Sequence, residues 1–114
     1  MNNPSISDTR PRVFVTQEAA QLDFTPAEEF GDVVFITRDD FSPISASLNN
    51  HALQQEIEAK LAHFDPERDF LCFAGSPTVA AYAFMTIGRL NRRDVRVLRW
   101  SNRDRRYYPI HLDR

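Results

Sequence analysis

The chain has 114 residues, of which 42% are hydrophobic and nine are Phe, and its formal net charge is −2. That length holds one core and not two, and the apolar content excludes wholesale disorder. No run approaches the roughly 18 apolar residues of a membrane span, and Met1 to Pro11 lacks the apolar centre of a secretory signal, so a soluble cytoplasmic protein with no membrane partner is expected.

Residues 1–11 show no periodicity and read as a flexible arm, leaving 12–114 as a single α/β domain. "RVFVT" (12–16) is the first strand by its β-branched and aromatic content. "FTPAEEFG" (24–31) carries helix-start signals, with Thr25 as N-cap, Pro26 at the first helical position, Glu28 closing a capping box and Gly31 as a left-handed stop. "DVVFIT" (32–37) is nearly all apolar and fits a strand buried on both faces.

A polar connection (38–50) leads to the clearest helix. Asn49 or Asn50 can cap it, Leu53, Ile57, Leu61 and Phe64 form its apolar stripe, Glu56 and Lys60 pair on its wet side, and Pro66 ends it. "DFLCFAG" (69–75) is another fully apolar strand, and residues 76–90 follow as a helix that is apolar almost all round. "DVRVLRW" (94–100) alternates, with Val95 and Val97 on one face and Leu98 and Trp100 on the other. "RYYPIHL" (106–112) holds Pro109, which belongs on a sheet edge. Two apolar strands, each followed by a helix and another strand, predict a right-handed parallel βαβαβ core, loosely Rossmann-like, with a C-terminal antiparallel hairpin at its edge.

Charge is unevenly laid out. Residues 1–88 hold five basic and thirteen acidic side chains, whereas residues 89–114 hold nine Arg against Asp94, Asp104 and Asp113. Arg89, Arg92, Arg93, Arg96, Arg99, Arg103, Arg105 and Arg106 are interleaved with Trp100, Tyr107 and Tyr108. This combination serves protein hot spots and also tracks phosphates while stacking bases. A solvated hairpin whose Arg side chains pair with the acidic remainder explains the same residues.

The corner Gly75-Ser76-Pro77-Thr78 joins strand to helix, and a helix N-terminus at that point offers free N–H groups to an anion. Each residue also has a local reason: Gly75 turns the chain, Ser76 caps and Pro77 starts the helix. Further glycines and a following Lys are missing, so neither dinucleotide nor P-loop patterns match. His51, His63 and His111 lie apart with no ligand spacing, so no metal and no cofactor is expected. Asp39-Asp40 reads as solvated loop acids, and Cys72 as a buried structural thiol. No nucleophile elbow is present.

"FTPAEEFGDVVFI", "FDPERDFLCFAGSP" and "VRVLRWSNRDRRYYPI" together resemble a family of short, uncharacterised proteins of tailed bacteriophages. The segments that carry the resemblance are Ala27 to Gly31, Asp69 to Leu71, Gly75 to Pro77 and Leu98 to Tyr108, with Ser76 where Asp is the commoner residue. The resemblance implies viral origin and a role in the host cytoplasm, and it brings no activity or catalytic residue.

Three functional classes follow. The first is a non-enzymatic binding or adaptor protein using the Arg and aromatic hairpin, with self-association through helix 77–90 or the edge strand as one form. The second is a nucleic-acid-binding protein using the same hairpin. The third is a small nucleotide-binding or hydrolysing domain using Gly75, Ser76 and Thr78, with Asp39 or Asp40 opposite.

Overall fold

A computed structural model describes residues 10–44, 47–91 and 94–113, in which five strands form one sheet. In chain order the elements are β1 (Arg12–Gln17), a 3-10 helix (Thr25–Glu29), β2 (Asp32–Thr37), α1 (Leu48–Leu61), β3 (Phe70–Cys72), α2 (Pro77–Asn91), β4 (Val95–Ser101) and β5 (Arg106–Leu112). The sheet order is β2-β1-β3-β4-β5, with the first four strands parallel and β5 antiparallel to β4. The expected α/β class and the antiparallel C-terminal pair are both present. Most of the expected N-terminal arm, residues 1–9, lies outside the described residues.

The two-residue period of the strands divides the core into two layers. Phe14, Ile36, Leu71, Val95 and Val97 face Leu53, Ile57 and Leu61 of α1 and Val79, Ala83 and Ile87 of α2. On the other face Val13, Val15, Phe70, Cys72, Leu98 and Tyr107 lie under Phe24 and Ala27 of the 3-10 segment. Each fully buried aliphatic side chain contributes about 1.5–3 kcal/mol. The path to β2 crosses one face, and the paths to β3 and β4 cross the opposite face while moving the opposite way. All three crossovers therefore share one hand. The direction of travel reverses between β1 and β3, so the connections leaving their carboxyl ends part to opposite faces of the sheet.

Several local expectations are corrected. β2 is an edge strand, and Val33, Val34 and Phe35 are only half-buried. Apolar sequence alone does not say which strand lacks a neighbour. Glu56 and Lys60 do not pair in solvent. Thr37 Oγ1 donates to Glu56 Oε1 at 2.9 Å, and Lys60 Nζ donates to the Phe35 and Ile36 carbonyls of β2 at 3.1 and 3.5 Å.

The cap of α1 is Ser47, which accepts from the Asn49 amide, and Asn50 instead clasps the preceding loop through the amide and carbonyl of Ser42. That helix ends at Leu61, with Ala62 as its C-cap, one turn before Pro66. The segment at 25–29 is a 3-10 turn entered from Phe24 with no side-chain cap; Thr25 is not its N-cap, and its amide donates to Asp23 Oδ1 at 3.0 Å. Gly31 is needed for close approach, because a Cβ there would stand 2.4 Å from the Pro11 carbonyl oxygen, which accepts from the Asp32 amide.

One buried charge joins β1 to the start of β3. Asp69 is fully buried and accepts from the Arg12 amide at 2.9 Å, the Arg12 guanidinium at 3.2 Å and the Asp65 amide at 2.8 Å. Its two oxygens thus face three donors, which makes the burial of a carboxylate tolerable.

Candidate functional site

The carboxyl ends of β1 and β3 are where open α/β sheets take ligands. Here that crevice is filled from within. Thr16 Oγ1 donates to the Ala74 carbonyl and accepts from the Ala74 amide, both at 2.8 Å, extending the ladder one step past β3. The next side chain, Gln17, accepts from the Ser76 amide at 2.7 Å and donates to the Asp39 carbonyl at 2.9 Å. Gly75 has a φ of +75°, and a Cβ on it would lie 2.0 Å from Gln17 Oε1. So Gly75 gives way to Gln17, which holds the amide an anion would need. Ser76 caps α2 weakly through its Oγ, at 3.4 Å from the Val79 amide, and Thr78 is exposed on the first turn.

Beyond that plug the sheet opens into a pocket of about 350 Å³ on the 3-10 side. Leu22, Phe24 and Pro26 form one wall, and Leu98, Trp100 and Tyr107 of the hairpin form the other. Asp23 and Arg105 bring opposite charges to its lining. The Thr25 hydroxyl, with the Thr25 amide, holds the Asp23 carboxyl below its usual value, so this exposed acid is ionised at neutral pH. Residues 21–26 lie far from the hairpin in sequence, and no motif in them marks a site. The one available hint was an exposed apolar Leu22 beside Asp23 in a connection between strands.

The hairpin wall is built tightly. Trp100 meets Tyr107 edge to face at 4.9 Å, its Nε1 donates to Asn102 Oδ1 at 2.9 Å, and the Arg105 guanidinium lies over its ring at 6.0 Å. Behind it, burial pushes the Cys72 thiol up to about 11, and burial followed by the Cys72 contact raises the Tyr107 phenol. That thiol is therefore no nucleophile at neutral pH. The turn closes with the Arg105 amide donating to the Ser101 carbonyl at 2.8 Å, and Arg105 itself takes a φ of +56°. Such left-handed backbone costs a non-glycine residue about 1–2 kcal/mol.

The remaining sequence-selected residues divide between places. Arg99, Arg106 and Tyr108 lie on the opposite face of the hairpin, as the alternation requires, with the Arg106 guanidinium 5.3 Å from the Tyr108 ring. Arg106 also reaches Glu29 at 3.8 Å, and Arg103, fully exposed at the tip, stands 3.9 Å from Asp104. Tyr108 donates to Asp104 at 2.8 Å, which raises its phenol. Arg96 sits at the other end of β4, stacked 4.5 Å over Phe70 beside Pro66, Glu67, Asp94 and His111. Arg92 and Arg93 fall outside the described residues. Trp100, Arg105 and Tyr107 are thus gathered at one pocket, and the arginines as a group do not form one face.

Near Arg96, His111 Nε2 lies 2.9 Å from Asp94 and 3.7 Å from Asp113. The three are exposed, and the Asp94–His111 contact is accounted for as a surface pair.

An open five-stranded sheet of order 2-1-3-4-5, reversed at one edge and with a pocket at its carboxyl ends, defines a small α/β protein whose concavity is set by loops and a hairpin. Over residues 11–114 the sequence matches the family described as Phage Pam3 gp32-like protein, and the chain belongs to that family. No curated protein and no solved structure matches it. Among the described residues no helix is long and apolar enough to cross a membrane.

Proposed function

We propose that this phage-family protein is a non-enzymatic binding protein that takes a protein partner at the carboxyl-end pocket between residues 21–26 and the β4–β5 hairpin. A side chain of the partner enters against Leu22, Phe24 and Trp100, while Arg105 and Asp23 fix its polar surroundings. The observation that carries this reading is Arg105, held at a φ of +56° over Trp100 where glycine would be relaxed. Strain kept at a pocket lining is a mark of use. Aromatic and Arg side chains in a concave, half-apolar setting are also the residues that dominate protein hot spots.

The test is affinity capture from phage-infected cells with the wild type, Trp100→Ala and Arg105→Gly in parallel. A partner held by the wild type and lost by both variants supports the proposal. Capture that neither substitution alters overturns it.

A further inference from the structure

The helix expected to be apolar all round leaves one face uncovered. Val79, Ala83 and Ile87 of α2 point at the sheet, and Tyr82 turns to α1, where it donates to Glu58. Pro77, Ala81, Phe84, Met85 and Gly88 fall within about 100° of arc on the outer side, since successive residues advance about 100°. All but Gly88 are exposed; Phe84 and Met85 remain 39% and 53% accessible. Phe73 and Leu112, 46% and 37% accessible, border the same face, and Phe73 meets Phe84 edge to face at 6.3 Å. Among the side chains described, polar ones appear at the margin of this face, as Thr78 and Arg89.

Gly88 is the informative residue. A glycine inside a helix costs about 1 kcal/mol relative to Ala. Nothing among the described residues requires it, because a Cβ built at Gly88 meets none of their atoms within 4 Å.

We infer that this face of α2 packs against the same face of a second copy, with Phe84 of each protomer seated over Gly88 of the other about a two-fold axis. Three observations select a second copy. The first is self-complementarity: the knob at Phe84 and the notch at Gly88 are one helical turn apart on the same ridge. A two-fold axis then satisfies both at once, as isologous interfaces require. The second is charge. The arc holds no ionic or hydrogen-bonding side chain by which a foreign partner could be specified, and with no charge on it two copies of the arc can meet without like charges facing.

The third is area. The exposed apolar surface of the arc with Phe73 and Leu112 is on the order of 400 Å². A standard interface buries about 800 Å² per partner, a little over half of it apolar, so the patch supplies the apolar part of one stable dimer. Most of the patch lies on the α2 side of the sheet and the pocket of Leu22 and Phe24 on the 3-10 side, and the two meet at Phe73 and Ala74.

Sedimentation velocity from low-micromolar to sub-millimolar protein tests this directly, with the wild type expected as a dimer. Gly88→Gln and Met85→Glu are expected to weaken association at least tenfold. Circular dichroism should stay unchanged in both, and Gly88→Gln should melt no lower than the wild type under monomeric conditions. Met85→Cys places a thiol beside the axis, and a short bifunctional maleimide should join it to its copy, while buried Cys72 in the wild type stays unreacted. A wild type that is monomeric throughout overturns the inference. So does a dimer that both substitutions leave intact, or one that Met85→Cys fails to cross-link.

Discussion

The Ser76 amide donates to the Gln17 side chain at 2.7 Å, so β1 occupies the first turn of α2 where a ligand phosphate would sit. Phosphate and nucleotides are therefore expected to leave the melting temperature unchanged, since only a ligand that binds the native state raises it. Gln17→Ala should cost about 1–2 kcal/mol in urea unfolding by orphaning that amide and the link to the Asp39 carbonyl. A clear rise in melting temperature with any nucleotide would revive a nucleotide site at Gly75, Ser76 and Thr78.

Asp69 is the buried hub between Arg12 and Asp65. Asp69→Ala is expected to destabilise the fold by about 3–5 kcal/mol, the range for removing one partner of a buried charge pair. Arg10→Ala, which among the described residues removes an exposed contact with Asp32, should cost less than about 1 kcal/mol. Comparable losses in denaturant titrations of the two variants would contradict this assignment.

Arg105→Gly should separate stability from binding. Relieving the left-handed backbone stabilises the hairpin by up to about 1 kcal/mol, whereas loss of the guanidinium over Trp100 weakens partner capture. Trp100 is the one tryptophan, so its fluorescence reports the change directly. A variant both less stable and fully competent in binding would sink the reading.

The pH dependence follows from Cys72, raised from 9.0 to about 11, and from Tyr107, raised in the same direction. A raised folded value means the unfolded chain loses its proton first as pH rises. Stability from these groups is therefore complete below about pH 9 and declines above it, by at most about 1.4 kcal/mol per pH unit for each. Thermal melts from pH 7 to 11 should show that decline, shallower in Cys72→Ala, and thiol reagents at pH 7.5 should label Cys72 only on unfolding.

Most elements were legible in the sequence because their signals are local. The stripe Leu53, Ile57 and Leu61, the alternation in β4 and Pro109 on the edge strand each hold in the structure, while Phe64 joins the same core from beyond the helix end. What failed was non-local. Nothing within "DVVFIT" shows that β2 has one neighbour, and nothing near Gln17 shows that its amide reaches residue 76, 59 positions on. The candidate site was half legible: Trp100, Arg105 and Tyr107 stood out by type, while Leu22 and Asp23 joined them only through folding. The family resemblance drawn from three short segments agrees with the match over 11–114.

The two borders of the sheet share one further consequence. Lys60 occupies carbonyls of β2 on one side, and on the other Pro109 has no N–H to offer. Each border is thus blunted against an added strand, which turns assembly toward the faces, and the α2 pairing inferred above would stop at two. Concentrating this protein should give a finite particle in light scattering, with no fibrous precipitate and no growth over days.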